Sequence, residues 1–312
     1  MSDVPTAVAA DIGGSHAACA LVQDRRVLDC EVIDIADAKR FEPVLVKIGA
    51  VLRRLRQQTP FCQGVAFSFP GIVNSIDAQV LSTPKDKFVD AHDLDLRGWC
   101  ETELGLPLAI ENDARVALLG ERYCGAAMGF DDVVMVTLGT GVGGAAIIGG
   151  RVLRGRHFQA GLGGHFPVRF DGGRCICGAV GCVETEASGW ALPRICANWP
   201  GFKQSALARS PSPNFEELFT AARSGDRVAA EIRDHCLRVW SVGLVGLIHA
   251  YDPELIVIGG AIMGSADQIL PALREHVDGN AWTPWGKVRI EPAKLGTHAG
   301  LLGAIPLLAG TC

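Results

Sequence analysis

The stretch from His165 to Glu184 reads H-x9-C-x-C-x4-C-x-E and brings His165, Cys175, Cys177 and Cys182 into one short segment. One imidazole and three thiolates are the ligand set of a closed tetrahedral zinc site. With all four positions filled by protein there is no place for water or substrate, so a metal held there folds a loop. That loop ends in Glu184. A stiffened segment would present His165 and Glu184 to a ligand at fixed spacing, and preorganised groups lose less entropy on binding. The alternative is a reduced, metal-free cysteine cluster. Gly163, Gly164, Gly172, Gly173, Gly178 and Gly181 weigh against it, because they supply the turns a tight chelate needs.

Two further stretches could hold phosphate. The apolar run Thr6 to Ala10 ends in Asp11-Ile12-Gly13-Gly14-Ser15-His16, and apolar Ala17 to Val22 follows. This is a strand, a tight turn and a strand. Backbone N–H groups and the Ser15 hydroxyl at such a turn can cradle phosphate, with Asp11 placed to hold a metal-bound water. A Gly-Gly hairpin also needs no function, so on this stretch alone both readings stand. The pattern recurs where Val133 to Leu138 breaks into Thr137-Leu138-Gly139-Thr140-Gly141-Val142-Gly143-Gly144 before Ala145 to Ile148 resumes. Two such hairpins suggest a duplicated architecture gripping a phosphate chain between its halves. Between them, the strand-like Leu106 to Ile110 passes through Glu111-Asn112-Asp113 into a helical pattern from Ala114 to Arg122. Asp113 sits where working groups gather in an open α/β sheet. Its bland alternative is a helix N-cap.

The elements that must position these groups follow from periodicity. Pro43 to Gln57 has helical spacing and ends in Arg53, Arg54 and Arg56, a solvated face suited to a helix C-terminus. Gly64 to Phe69 is a buried strand stopped by Pro70-Gly71, while Glu216 to Arg223 and Asp226 to His249 are helices. Leu255 to Ile258 is a strand ending in Gly259-Gly260, where backbone could approach a flat ligand. Gly300 to Leu308 forms a closing helix capped late by Gly310, and Ser205 to Asn214 is a surface loop.

Composition bounds the partners. A chain of 312 residues exceeds what one core usually serves, so two domains are expected. With 48% hydrophobic and 20% charged residues it reads as an ordinary soluble chain. A net charge of -5 without a basic run argues against nucleic acid. The first residues fit neither a signal peptide nor a spanning helix, so no membrane partner and a cytoplasmic location are expected. Eleven cysteines is an odd count, and the eight outside the cluster, from Cys19 to Cys312, read as reduced and mostly buried thiols.

Taken together, the Asp11 hairpin, the Asn112-Asp113-Ala114 triplet, the Thr137 to Gly144 loop, the His165/Cys175/Cys177/Cys182 cluster and the late Ala299-Gly300-Leu301-Leu302-Gly303-Ala304 stretch resemble the ROK family of bacterial sugar kinases and related repressors. The resemblance spans nearly the whole chain. It implies a two-domain α/β fold of actin/hexokinase-like (ribonuclease H-like) type, with ATP in an interdomain cleft and a structural zinc in the second domain. Residues 1–114 would form the first domain and 115–298 the larger second one, with a helix over 299–312 packing back on the first. Asp113 would be the catalytic base, taking the proton of a sugar 6-hydroxyl as it attacks the γ-phosphate of ATP, an effect worth roughly 10²–10⁴-fold. Asp11 would help place Mg²⁺. Gly13, Gly14 and Ser15, with Gly139, Thr140, Gly141, Gly143 and Gly144, would hold the phosphates, and Gly259 and Gly260 would line the adenosine pocket. Gly71, Asn112, His165 and Glu184 would contact the sugar. Domain closure would exclude water. The family's usual state also implies a homodimer.

Three departures bear on the substrate. Gly161-Leu162-Gly163-Gly164-His165 stands where the family usually has Gly-Glu-x-Gly-His, so an acceptor for sugar hydroxyls has become apolar. A glucose kinase would lose about 0.5–1.5 kcal/mol there. The family's N-acetylmannosamine kinases also lack this Glu, which tilts the expectation to that sugar. Thr83-Pro84-Lys85 replaces a pattern with Asn after the proline in glucose-specific members, while Ser15-His16 keeps the hydroxyl of the usual Thr. The alternatives are a glucokinase or another hexose or N-acetylglucosamine kinase, and a sugar-sensing non-catalytic protein. A repressor is disfavoured, because repressors carry a helix-turn-helix ahead of the first phosphate loop and only ten residues precede Asp11.

Overall fold

A computed structural model describes residues 4–310. Residues 1–3 and 311–312, including Cys312 and the last two positions of the expected closing segment, lie outside the described residues. The described chain divides into two compact units, residues 4–130, 149–160 and 294–310 in the first, and 131–148 and 161–293 in the second. The boundary expected after residue 114 thus falls at 130. The reason is the helix Asp113–Cys124, which packs inside the first unit with Gly120 so close to the helix Ala299–Leu302 that a Cβ would lie 2.3 Å from the Ala299 carbonyl oxygen.

In the first unit a five-stranded sheet runs in the order Arg26–Asp34, His16–Gln23, Thr6–Ile12, Val65–Phe69, Leu108–Asn112. The first three are antiparallel and the last two join Thr6–Ile12 in parallel. The central strands are apolar on both faces because the sheet is covered on both sides. One cover is the helix Glu42–Arg56, which buries Val44, Leu45, Ile48, Val51, Leu52 and Leu55. Its N-terminus has no cap of its own. The Asp90 carboxylate instead accepts from the Phe41 and Glu42 N–H groups at 2.5 and 3.2 Å. Burial pushes that carboxyl up, but these donors and Arg40 hold it below the usual carboxylate range. Phe41 meets Phe69 and Phe88 edge-on over this core, and Phe69 lies tilted against Phe88.

In the second unit the strands run Val142–Ile148, Val133–Leu138, Leu255–Gly259, Arg289–Pro292. Again one antiparallel hairpin precedes parallel neighbours. The helix Arg227–Tyr251, capped by Asp226, buries an apolar face that includes Trp240, Leu244 and Leu247. Each unit therefore repeats a hairpin followed by parallel strands. That repetition is the duplication the two glycine turns suggest. No helix of the described residues is long and apolar enough to cross a membrane.

Candidate active site

The parallel strands of the first unit align their carboxyl ends in register, Asp11 opposite Ser68 and Ser68 opposite Glu111. Asp113 follows one residue past the strand end. The N-cap belongs to Asn112, whose side-chain oxygen accepts from the Arg115 N–H at 3.3 Å, so Asp113 is not the cap. Its Oδ1 accepts from the Ala114 N–H at 2.8 Å and from Asn112 Nδ2 at 2.9 Å. The other Asn112 Nδ2 hydrogen goes to the Gly71 carbonyl at 2.9 Å, so both amide hydrogens are taken within the protein. Gly71 needs to be glycine, because its φ is +128° and a Cβ would sit 2.2 Å from the Ser82 carbonyl oxygen. Burial, aided by the negative charge of Asp11, raises the Asp113 carboxyl to about 6 despite these donors.

Asp11 is oriented by the Ser68 hydroxyl, which donates to Oδ1 at 2.5 Å. Burial raises its carboxyl too. Gly300 faces it so closely that a Cβ would fall 2.5 Å from Asp11 Cγ. At the hairpin tip the Gly13 N–H donates to the His16 carbonyl at 2.9 Å, and the Ser15 hydroxyl lies 2.9 Å from His16 Nδ1.

Behind Asp113 lies a buried ionic cluster absent from the sequence reading. Glu111 and Arg115 are 0% and 2% exposed. Glu111 receives Arg115 Nη1 at 3.1 Å, Arg154 Nε at 2.6 Å and the Asn112 N–H at 2.8 Å. Arg115 Nη2 holds the carbonyls of Phe158 and Ala160 at 3.0 and 2.9 Å. The i,i+4 spacing of Glu111 and Arg115 was the available signal. For Ser68 it was a lone hydroxyl in an otherwise apolar strand.

In the second unit the turn is narrower than its glycines suggest. Val142 already begins a strand, so Gly143 and Gly144 lie in the sheet opposite Thr137 and Val136, and only Gly139 to Gly141 form the turn. A Cβ on Gly144 would meet Gly161 and Gly163 backbone at 2.5 and 2.6 Å. The turn is fastened by the segment after the cysteines. Glu184 Oε2 accepts the Val142 N–H at 2.9 Å, and the Gly189 and Trp190 N–H groups donate to the Gly139 and Thr140 carbonyls at 2.9 and 3.0 Å. Gly139, Thr140 and Trp190 also line a cavity of about 610 Å³ with Phe219, Arg223 and Ala261. Its size suits a nucleoside-sized ligand. Gly259 and Gly260 stand just before this lining. The close approach at Gly260 is to the chain itself, since its φ is +96° and a Cβ would meet the Leu138 carbonyl oxygen at 2.1 Å.

The ligand atoms of His165, Cys175, Cys177 and Cys182 all lie within 4.8 Å of one another. A zinc tetrahedron has sulfur–sulfur edges of about 3.8 Å and sulfur–nitrogen edges of about 3.5 Å, from bonds of about 2.3 and 2.0–2.1 Å. Cys177 and Cys182 sulfurs are 3.7 Å apart, and His165 Nδ1 is 3.5 Å from Cys175 Sγ. The residues fit that metal. Glu186, which the sequence reading passed over, pins the same loop by accepting the Gly173 N–H at 2.6 Å and Arg169 Nη1 at 3.3 Å.

With this geometry in view, a model of the ROK family matches residues 7–310. The chain belongs to the ROK family. It is 31% identical to the glucokinase of Thermotoga maritima over 312 residues, 96% of each chain. Among solved structures it resembles a ROK glucokinase from Streptomyces griseus in complex with glucose and AMPPNP, at 32% identity and a TM-score of 0.78 over 97% of this chain and 98% of that one. It also resembles a candidate N-acetylmannosamine kinase from Listeria monocytogenes, at 27% identity and a TM-score of 0.82 over 98% and 99%. The two-sheet α/β architecture of the ROK protein agrees with these neighbours.

Proposed function

We propose that this ROK protein is an ATP-dependent sugar kinase that phosphorylates the 6-hydroxyl of a hexose or N-acetylhexosamine. The observation that carries the reading is Asp113, a carboxylate beyond the ends of parallel strands, relieved of capping by Asn112 and raised to about 6. Such a group stays mostly ionised at neutral pH yet is a better proton acceptor than an ordinary aspartate. In the proposed reaction Asp113 Oδ accepts the hydroxyl proton as the sugar oxygen bonds to phosphorus and the bond to the leaving ADP oxygen breaks. Asn112 and Ala114 hold the carboxylate in place through Oδ1.

Magnesium bound with ATP would supply charge neutralisation at the phosphates. Asp11, aimed by Ser68 and given room by Gly300, is the residue that would hold it, and each unit's turn offers N–H groups to phosphate, Gly14 and Ser15 in the first and Thr140 and Gly141 in the second. The cavity beside Thr140 and Trp190 would take adenosine. Zinc at His165, Cys175, Cys177 and Cys182 would fix the loop that carries Glu184. With His165 Nδ1 turned to the cysteines, Nε2 is the nitrogen offered to a sugar hydroxyl.

For the sugar, Leu162 in place of an acceptor supports N-acetylmannosamine. Glucose is the second reading, supported by the 31% and 32% identities to glucokinases. The reading includes a homodimer and no nucleic-acid or membrane partner. A coupled ADP-release assay across hexoses and N-acetylhexosamines tests it. Turnover is expected with N-acetylmannosamine or glucose, whereas sugar binding with no turnover on any member would make the protein a sensor.

A further inference from the structure

Glu184 does more in this fold than point at a ligand. Glu184 is 9% exposed, and its Oε2 is committed to the N–H of Val142 at 2.9 Å, the first residue after the second glycine turn. The turn is built around that carboxylate, because a Cβ on Gly141 would lie 2.7 Å from Glu184 Oε2. The same segment fastens the turn twice more, through Gly189 to Gly139 and Trp190 to Thr140. Those four residues line the 610 Å³ cavity. One carboxylate and two backbone hydrogen bonds from the same segment thus fix the backbone of a turn that faces a nucleoside-sized cavity.

We infer that Glu184 is a positioning residue for the Gly139 to Gly141 turn, and that the Glu184–Val142 hydrogen bond couples sugar occupancy to nucleotide affinity. This rests on the proposed reading of Glu184 as a sugar contact and of the turn as a phosphate holder. A sugar hydroxyl donating to the carboxylate lowers the mobility of Oε2, so the Val142 N–H and the turn are already ordered when nucleotide arrives. Coupling of binding free energies is reciprocal, so nucleotide on the turn must raise sugar affinity by the same factor.

The test crosses the two ligands. Binding of AMPPNP with Mg²⁺ is measured by calorimetry on sugar-free and on sugar-saturated protein, and binding of glucose and N-acetylmannosamine on nucleotide-free protein, for wild type, Glu184→Ala and Gly141→Ala. Wild-type AMPPNP affinity that does not rise when sugar is bound overturns the coupling. A residue that only touches sugar would leave nucleotide binding unchanged when no sugar is present. The coupling predicts instead that Glu184→Ala weakens AMPPNP in sugar-free protein by at least about fivefold. It predicts that Gly141→Ala, which displaces the flexible end of Glu184, weakens the sugar in nucleotide-free protein by a similar factor. If Glu184→Ala fails to fold, Gly141→Ala alone decides, since its added methyl meets a side-chain tip and no backbone. Wild type that binds both ligands, with each variant shifting only its own ligand, overturns the coupling alone. Wild type that binds AMPPNP and no member of the hexose and N-acetylhexosamine panel overturns the kinase reading and the coupling together.

Discussion

At the scale of single residues, the site rests on where charge is allowed to be. Asp113 has its carboxyl raised to about 6 by burial first and by Asp11 second, against an ordinary 3.8. A base must be deprotonated to act, so kcat/KM should fall tenfold per pH unit below about 6 and flatten above it. A profile whose acid limb lies near pH 4 would remove the effect of burial from the account. Leu162 belongs to the same scale. Restoring the acceptor with Leu162→Glu should move the ratio of kcat/KM for glucose over N-acetylmannosamine upward by roughly 2–13-fold, the worth of one hydrogen bond of about 0.5–1.5 kcal/mol. An unchanged ratio in the panel assay would put the choice of sugar elsewhere.

At the scale of elements, small residues set how closely backbones meet. Gly120 and Gly303 let the helix Asp113–Cys124 lie close to Ala299–Leu302, and Gly300 leaves space for the Asp11 carboxylate. Gly300→Ala should therefore lower turnover by at least tenfold and raise the Mg²⁺ concentration needed for half activity, while circular dichroism stays native. Full activity would mean that Asp11 has room to turn aside. Most strands and helices were legible because apolar periodicity dictates them: Val133–Leu138 appears as expected, and Phe215–Arg223 lies within a residue of expectation. The misses have physical causes. The helix Ala266–Asn280 contains Pro271, which reads as a breaker, and the edge strand Arg26–Asp34 is mostly exposed, with Leu28, Cys30 and Val32 on one face left unburied. The expected closing helix is two short ones, Ala299–Leu302 and Ala304–Leu308, split at Gly303, where a Cβ would lie 2.1 Å from the Val116 carbonyl oxygen. Asp11, Asp113, Glu184 and the cysteines of the proposed site stand out in the sequence by type and spacing. Arg154 and Ser68 do not, since their partners are joined only by register or lie some forty or more positions away, and the i,i+4 pair Glu111 and Arg115 looks in sequence like any solvated helix pair.

At the scale of the whole molecule, each unit carries one hairpin-led sheet and one part of the proposed machinery: Asp11 and Asp113 in the first, Glu184, the second turn and the cysteine cluster in the second. The cluster predicts about one zinc per chain by metal analysis. Its removal by a chelator should lower Tm, because ligand binding to the native state alone is folding free energy. Active protein without zinc would return the cysteines to a packing role. The central claim is that Asp113 deprotonates a sugar hydroxyl, and Asp113→Asn is its most direct test. The amide keeps an oxygen for Ala114 and Asn112 but cannot take the proton. Sugar-dependent ADP release measured at pH 8 on wild type and Asp113→Asn should fall by at least about 10²-fold with sugar binding still measurable. Turnover within tenfold of wild type would contradict the account.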